Sequence, residues 1–492
     1  MNPLLYEINT RCWLRELSDS LGRAVTLADV PDAEFARWRK LGFTHVWLMG
    51  VWTTGPKCRA IALELADLRS AYDQAVPGWK ESDVAGSPYA IADYRVPRSL
   101  GGEAGLQSFR AKLRAQGMKL VLDFVPNHLG LDHAWLREQP DLFMQSPVEV
   151  PGTFAQETVT GVRWLAHGKD PYFLPWSDTV QLDYRRVSTR VAMRDLLLAV
   201  AGRCDGVRCD MAMLVLNGVF AQTWANFPSN AETPDHEFWE DAVAAVKQAH
   251  PDFLFLAEVY WDLEARLLEL GFDFAYDKRL YDELFWRNPA GAQGRVLGLS
   301  REQLVRGAHF LENHDEPRIA AQLSPVEQRA AALAILGLPG LRFLHEGQLS
   351  GAKVKLPVQL ARRGPEPVDA AVAEAYDQLL SVLAPSAVGR GEFAVLPPRA
   401  AWPGNPTGQN FLIVQWQAQP PAFDLVVVNL AAHRSQCYAP LTIPRLAEHN
   451  WTMRDALGTE AYERFGADLE AQGLYLDLPE TGAQLFHFEP LR

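Results

Sequence analysis

Five cysteines in 492 residues are too few and too scattered to staple a fold. Cys12, Cys58, Cys204, Cys209 and Cys437 are odd in number and form no C-x-x-C pair, so free thiols in a reducing compartment are expected. No apolar run is long enough to cross a bilayer. The first residues, Met1-Asn2-Pro3-Leu4-Leu5-Tyr6-Glu7, have neither the basic nor the apolar region of a secretory signal, and a cytoplasmic protein is the expectation. Blocks of like charge, internal repeats and low-complexity tracts are also missing. The 47 basic and 60 acidic residues give a net charge of −13, spread along the chain. That spread argues against nucleic acid and anionic membrane as partners and suits a neutral substrate such as a sugar. Oligomeric state stays open.

What is present is an ordinary soluble profile, 48% hydrophobic and 22% charged. The length exceeds one core, so two or three domains are expected. Strand-like and helix-like segments alternate through three-quarters of the chain, the pattern of parallel α/β architecture. Strands are expected at 5–10, 44–51, 119–126, 205–209, 253–257, 272–275, 309–311 and 341–344. Helices are expected at 32–41, 103–116, 188–202 (with Ser188 as N-cap), 237–249 and 368–382. Residues 129–182 show no sustained periodicity, which suggests a functional loop or a small inserted domain. After Pro385, alternating runs such as 410–416 and 423–429 read as a separate antiparallel β-domain.

Asp210, Glu258 and Asp315 each close a segment that reads as the end of a buried strand, and the segment 119–128 precedes them. Strand ends that converge on one rim are how a (β/α)8 barrel builds an active site. Carboxylates there, with Arg and His beside them, point first to glycoside chemistry. A retaining glycosidase needs two carboxyl groups about 5–5.5 Å apart, one ionised to attack and one protonated to release the leaving oxygen. Asp210 suits the first role, because Arg208 shares its strand face two residues earlier. Glu258 suits the second, because Phe255, Leu256 and Tyr260 promise an apolar neighbourhood that raises its pKa. His314 and Asp315 sit where sugar hydroxyls could be held.

Two blander readings compete. The strand-end charges could simply pair with one another on a barrel rim. A metal bound by His128 and His314 is the other, but two histidines on different strands are not a diagnostic spacing. Cys209 should point away from the lumen and pack. Trp79, Trp135, Trp164, Trp176, Trp261 and Trp286 lie in or near the loops, where they pack or stack on sugar rings.

These residues resemble the α-amylase superfamily of retaining glycoside hydrolases and transglycosylases. Asp123-Phe-Val-Pro-Asn127-His128, Gly206-Val-Arg208-Cys-Asp210, Ala257-Glu258 and Asn313-His314-Asp315 match its four best-known segments in order. Ser87-Pro88-Tyr89 and the 339–347 stretch resemble two more. The resemblance covers about residues 1–385, and a C-terminal β-domain is also typical of the family. It implies a (β/α)8 TIM barrel (1–128 and 183–385), a short inserted B domain (129–182) and a C-terminal β-domain (386–492). It implies Asp210 as nucleophile, Glu258 as acid/base and Asp315 as transition-state stabiliser. Tyr89, His128, Arg208 and His314 would bind substrate, and Asp123 would hold Arg208.

Two departures stand out. The family's structural calcium uses an Asp and a His that are Gln181 and Leu214 here, so no metal and no cofactor are expected, with a structural calcium on other oxygens of the inserted domain left open. The Lys-His pair that many α-amylases carry near the leaving-group side is Met213-Leu214. The implied activity is hydrolysis of α-1,4 bonds in maltooligosaccharides or starch-like α-glucans. The alternatives are a 4-α-glucanotransferase-like transglycosylase, a disaccharide-acting α-glucosidase or isomerase, and, last, a catalytically dead sugar-binding protein. The unusually basic 351–363 loop reads as a rim feature of the cleft, with no mechanism attached.

Overall fold

The computed structural model describes residues 2–227 and 234–491. Eight parallel strands close into a barrel: β1 (Leu4–Asn9), β2 (His45–Met49), β3 (Lys119–Phe124), β4 (Gly206–Cys209), β5 (Leu254–Ala257), β6 (Phe274–Tyr276), β7 (Gly307–His309) and β8 (Leu341–His345). Their order around the ring is sequential, and β1 pairs with both β2 and β8. The strands are apolar throughout because helices cover the outside and side chains fill the inside. Val46, Leu120, Val121, Val207, Leu256 and Phe343 are fully buried.

Differences from the expected elements have local causes. Helix Val187–Ala201 begins before Ser188, and its N-cap is Arg186, so Ser188 is not the cap. Strand β6 starts two residues later and ends one residue later than the 272–275 expected, and β7 ends at His309 where 309–311 was expected. Both strands are only three residues long, and periodicity cannot place so short a run between apolar flanks. Asp315 therefore sits on a loop, six residues past the end of β7. Two helices in the β2–β3 connection, α2 (Pro56–Glu64) and α3 (Ala66–Ala75), were not expected.

The segment between β3 and β4 holds a three-stranded antiparallel sheet (Gln145–Ser146, Thr153–Thr158, Gly161–Ala166). A short ladder between His128–Gly130 and Thr179–Gln181 ties its base to the barrel. Toward the C-terminus, six strands form an antiparallel sheet that includes Phe411–Gln417 and Phe423–Asn429. Alternation divides its two faces. Phe411, Ile413, Leu425 and Val427 form a core of their own, whereas Leu412, Val414, Val426 and Val428 join the barrel core. Trp416 Nε1 donates to Gly337 O at 2.8 Å across that junction. Among the described residues, no helix is long and apolar enough to cross a membrane.

Candidate active site

One guanidinium organises the barrel mouth. Arg208 on β4 is fully buried, and its Nη1 donates to Asp210 Oδ1 at 2.7 Å. Its Nη2 lies 2.7 Å from Glu258 Oε2 and 3.6 Å from Asp315 Oδ2. Trp47, Tyr89 and Tyr276 surround it with ring faces 5.3, 5.3 and 5.9 Å away. Those faces supply negative electrostatic potential to a cation removed from water. Two carboxylates that directly follow strands, Asp210 and Glu258, and one from the loop after β7, Asp315, thus meet on one cation. Cys209, between Arg208 and Asp210, packs in the barrel core, and burial raises its pKa well above the ordinary value.

Glu258 is 3% exposed. Burial raises its pKa, Arg208 opposes that, and the nearby Asp210 and Asp315 add to it, so the group reaches about 7. Its two oxygens accept from Tyr260 OH (2.8 Å) and from the Met211 backbone N–H (2.6 Å). Met211 reaches that position in the left-handed region, with φ 41°. A non-glycine residue there costs energy, which the surrounding contacts must offset.

Asp315 is the most open of the three, with a side chain 42% exposed. Desolvation works against its charge, but His314 and Arg208 outweigh it and hold the carboxyl well below the usual range. His314 is the counterpart. Burial disfavours its charge, yet Asp315 and Glu7 lift its pKa to about 10. Its Nδ1 lies 2.5 Å from Glu7 Oε1, and its Nε2 is 2.9 Å from Asp315 Oδ2 and 2.6 Å from Tyr89 OH. Tyr89 stacks on the imidazole at 5.3 Å. His128 is 4% exposed, packs against Trp176 at 5.1 Å and is kept neutral by burial. His128 and His314 share no metal-like cluster; among the described residues no group of three His, Cys, Asp or Glu side chains could hold an ion.

The expected link from Asp123 to Arg208 is not formed. Asp123 accepts from Trp47 Nε1 at 3.0 Å and from Gly50 N at 2.7 Å, and burial raises its pKa to about 6. It braces the β2 end, and Trp47 passes that bracing to Arg208 through its ring face. Sequence reasoning missed Glu7, Trp47 and Tyr276. Glu7 carried a signal, because a carboxylate in the middle of an apolar barrel strand needs a partner.

The calcium position can be tested on its donors. Gln181 Nε2 donates to Asn127 Oδ1 and Asn127 O at 2.9 Å and to Leu182 O at 3.1 Å. An amide nitrogen occupies the place a cation would need, and the neighbouring Asp183 is paired with Arg185 and Arg186. Calcium takes six to eight oxygens, carboxylates among them. This set does not fit it.

Trp261, three residues past Glu258, belongs to an exposed aromatic pair. Tyr172 and Trp261 meet edge-on at 5.0 Å, and Phe173 and Leu174 stand 74% and 87% exposed beside them in sequence. Asp170 Oδ1 accepts from the Tyr172 and Phe173 N–H groups and fixes that turn.

Residues 38–271 match the family model for the α-amylase catalytic domain. The α-amylase MalA of Haloarcula japonica is 26% identical over 284 residues, covering 56% of this chain and 38% of MalA. The chain thus spans well under half the length of that relative. Among solved structures, the maltogenic α-amylase AmyB of Thermotoga neapolitana aligns with TM-score 0.67 at 18% identity, covering 100% of this chain and 99% of that one. An acarbose complex of the Geobacillus thermoleovorans α-amylase aligns with TM-score 0.66 at 17% identity, covering 100% and 99%.

Proposed function

This chain belongs to the α-amylase superfamily of glycoside hydrolases, and from that premise we propose that it hydrolyses α-1,4-glucosidic bonds in maltooligosaccharides or starch-like glucans with retention of configuration. The observation that carries the reading is the shared guanidinium. Arg208 lies 2.7 Å from both Asp210 and Glu258, which puts an attacking carboxylate and a proton-bearing carboxyl on the same small site.

In the first step Asp210 attacks the anomeric carbon, and the bond from that carbon to the leaving oxygen breaks. Glu258 delivers its proton to that oxygen, which its pKa of about 7 allows at neutral pH. In the second step Glu258 takes a proton from water, the water oxygen bonds to the anomeric carbon, and the ester to Asp210 breaks. Asp315 and the positively charged His314 hold ring hydroxyls and stabilise the oxocarbenium-like state. Tyr89 offers the sugar an aromatic face, and His128 lines the same pocket. The Gln181 amide stands where the family's structural calcium would need an oxygen, and no step here draws on a metal.

A second reading is transfer to a sugar acceptor through the same intermediate. The exposed, edge-on Tyr172–Trp261 pair favours it, because an aromatic face free to stack on a sugar retains an acceptor where water would otherwise enter. A maltoheptaose time course separates the two, since only transfer makes products longer than the input. Asp210→Asn is the control: turnover should vanish while sugar binding persists. Turnover surviving in that variant would remove Asp210 from the nucleophile role.

A further inference from the structure

Strand β1 leaves a gap in the rim. Asn9, its last residue, already caps helix α1 (Thr10–Leu21) by accepting from Cys12 N at 3.3 Å. The chain turns from strand to helix with no loop between them, so nothing from β1 rises over the mouth.

The basic 351–363 loop after β8 fills that gap and ties itself to the far side. Ala361 N donates to Asp83 O at 2.7 Å, and Ala85 N donates to Gln359 O at 2.8 Å. Val84 and Leu360 form an antiparallel bridge between them. Arg362 Nη2 pairs with Asp83 Oδ2 at 2.9 Å, and Arg363 Nε with Glu16 Oε1 of α1 at 2.7 Å. Beneath the strap, Leu360 and Val84 pack with Tyr72, Val76 and Ala62 in a separate hydrophobic cluster that rests on α2 and α3. The loop is therefore a packed wall and not a free flap. At its inner edge, Lys355 Nζ donates to the carbonyl oxygen of Asp315. The space between Lys355, Leu356, Asn9 and His314 is about 10 Å³. That is the lower limit for one water, so the strap packs closely on the His314 side of the mouth.

In the eight-stranded ring, the strap runs from β8 over β1 to the β2 connection, and β5, which leads to Glu258, lies diametrically across. With Glu258 as the acid, the leaving group departs past Glu258, on the side of the mouth across from the strap. The sugar attacked by Asp210 donates its anomeric carbon toward that side, so its non-reducing direction runs toward the strap.

We propose that the 351–363 strap, locked to Asp83–Ala85, walls the non-reducing end of the cleft and makes the enzyme attack glucans from the chain end. This deepens the α-glucan reading and rests on it. A chain whose attacked unit must lie against the wall cannot thread through, so internal bonds are reached only after the outer ones are removed.

The test compares maltoheptaose with maltoheptaose whose terminal non-reducing unit carries a 4,6-O-ethylidene cap. The expected result is cleavage of the uncapped sugar and at least a hundredfold slower cleavage of the capped one. Comparable rates on both would overturn the wall while leaving the α-glucan function intact. Cleavage of neither would overturn the α-glucan reading and the wall with it. Arg362→Ala, which cuts the strap's tie to Asp83, should raise the capped-to-uncapped rate ratio at least tenfold. An unchanged ratio in a variant shown to be folded by circular dichroism would overturn the proposal. If that variant fails to fold, the wild-type ratio decides.

Discussion

Two clusters of arginine and carboxylate occupy the same barrel rim and do opposite things. Around Arg208, the carboxylates Asp210, Glu258 and Asp315 share one cation and face the mouth. Around Arg318, Glu312 accepts from Arg318 Nη1 at 2.6 Å and from Ile319 N at 2.7 Å, and His345 lies 3.2 Å away. Glu312 is wholly buried, and every contact it makes is inside the protein. The residue types are the same, so residue type does not separate catalysis from support. The difference lies in access to the mouth. Glu312 is sealed in the interior and braces the strap side, whereas the Asp315 side chain stands 42% exposed beside Asp210 and Glu258.

That contrast is sharpest under mutation. Asp210→Asn should lower kcat by about 10⁴-fold or more, measured on maltoheptaose, with little change in thermal midpoint. Glu312→Ala should do the reverse. It leaves Arg318 buried without its carboxylate, which costs about 3–5 kcal/mol of stability. Chemical denaturation would measure that loss, and the folded fraction should retain its kcat. A Glu312 variant with normal stability and no activity would erase the distinction between the two clusters.

The pH profile provides a finer cut. Glu258 must hold its proton to act as the acid, and its pKa is raised to about 7. The proton is present below that value and lost above it, so kcat/KM should fall about tenfold per unit once pH passes roughly 7. Tyr260→Phe removes a donor that favours the charged carboxylate, and should move that limb upward by up to about one unit. A downward shift would show that Tyr260 does not hold the Glu258 carboxylate. The smallest effect concerns the Gln181 amide. Exhaustive treatment with a chelator should leave activity and thermal midpoint unchanged. A loss restored by added calcium would place a cation elsewhere in the fold.

Asp210 and Glu258 were legible because each directly follows a buried strand. The sequence places Arg208 and Asp210 on one face through the two-residue repeat, and the apolar flanks of Glu258 announce its burial. The long apolar strands β2, β3 and β8 were legible for the same reason. The three-residue strands β6 and β7 were not, because their flanks are as apolar as they are. Helices α2 and α3 escaped notice because their pattern is weak and their partner, the strap, lies nearly 300 residues further along the chain.

Local periodicity and the residues that follow each strand are enough to read the barrel, the order of its strands and Asp210 and Glu258 as candidates at its rim. Only the tertiary structure decided who pairs with whom. Glu7 meets His314 across 307 residues, and Arg362 meets Asp83 across 279. Asp123 turns to Trp47 and Gly50 instead of Arg208. Closing the ring brings β1 beside β8 and creates these contacts, and no local pattern encodes the distance between chain segments that only closure makes neighbours.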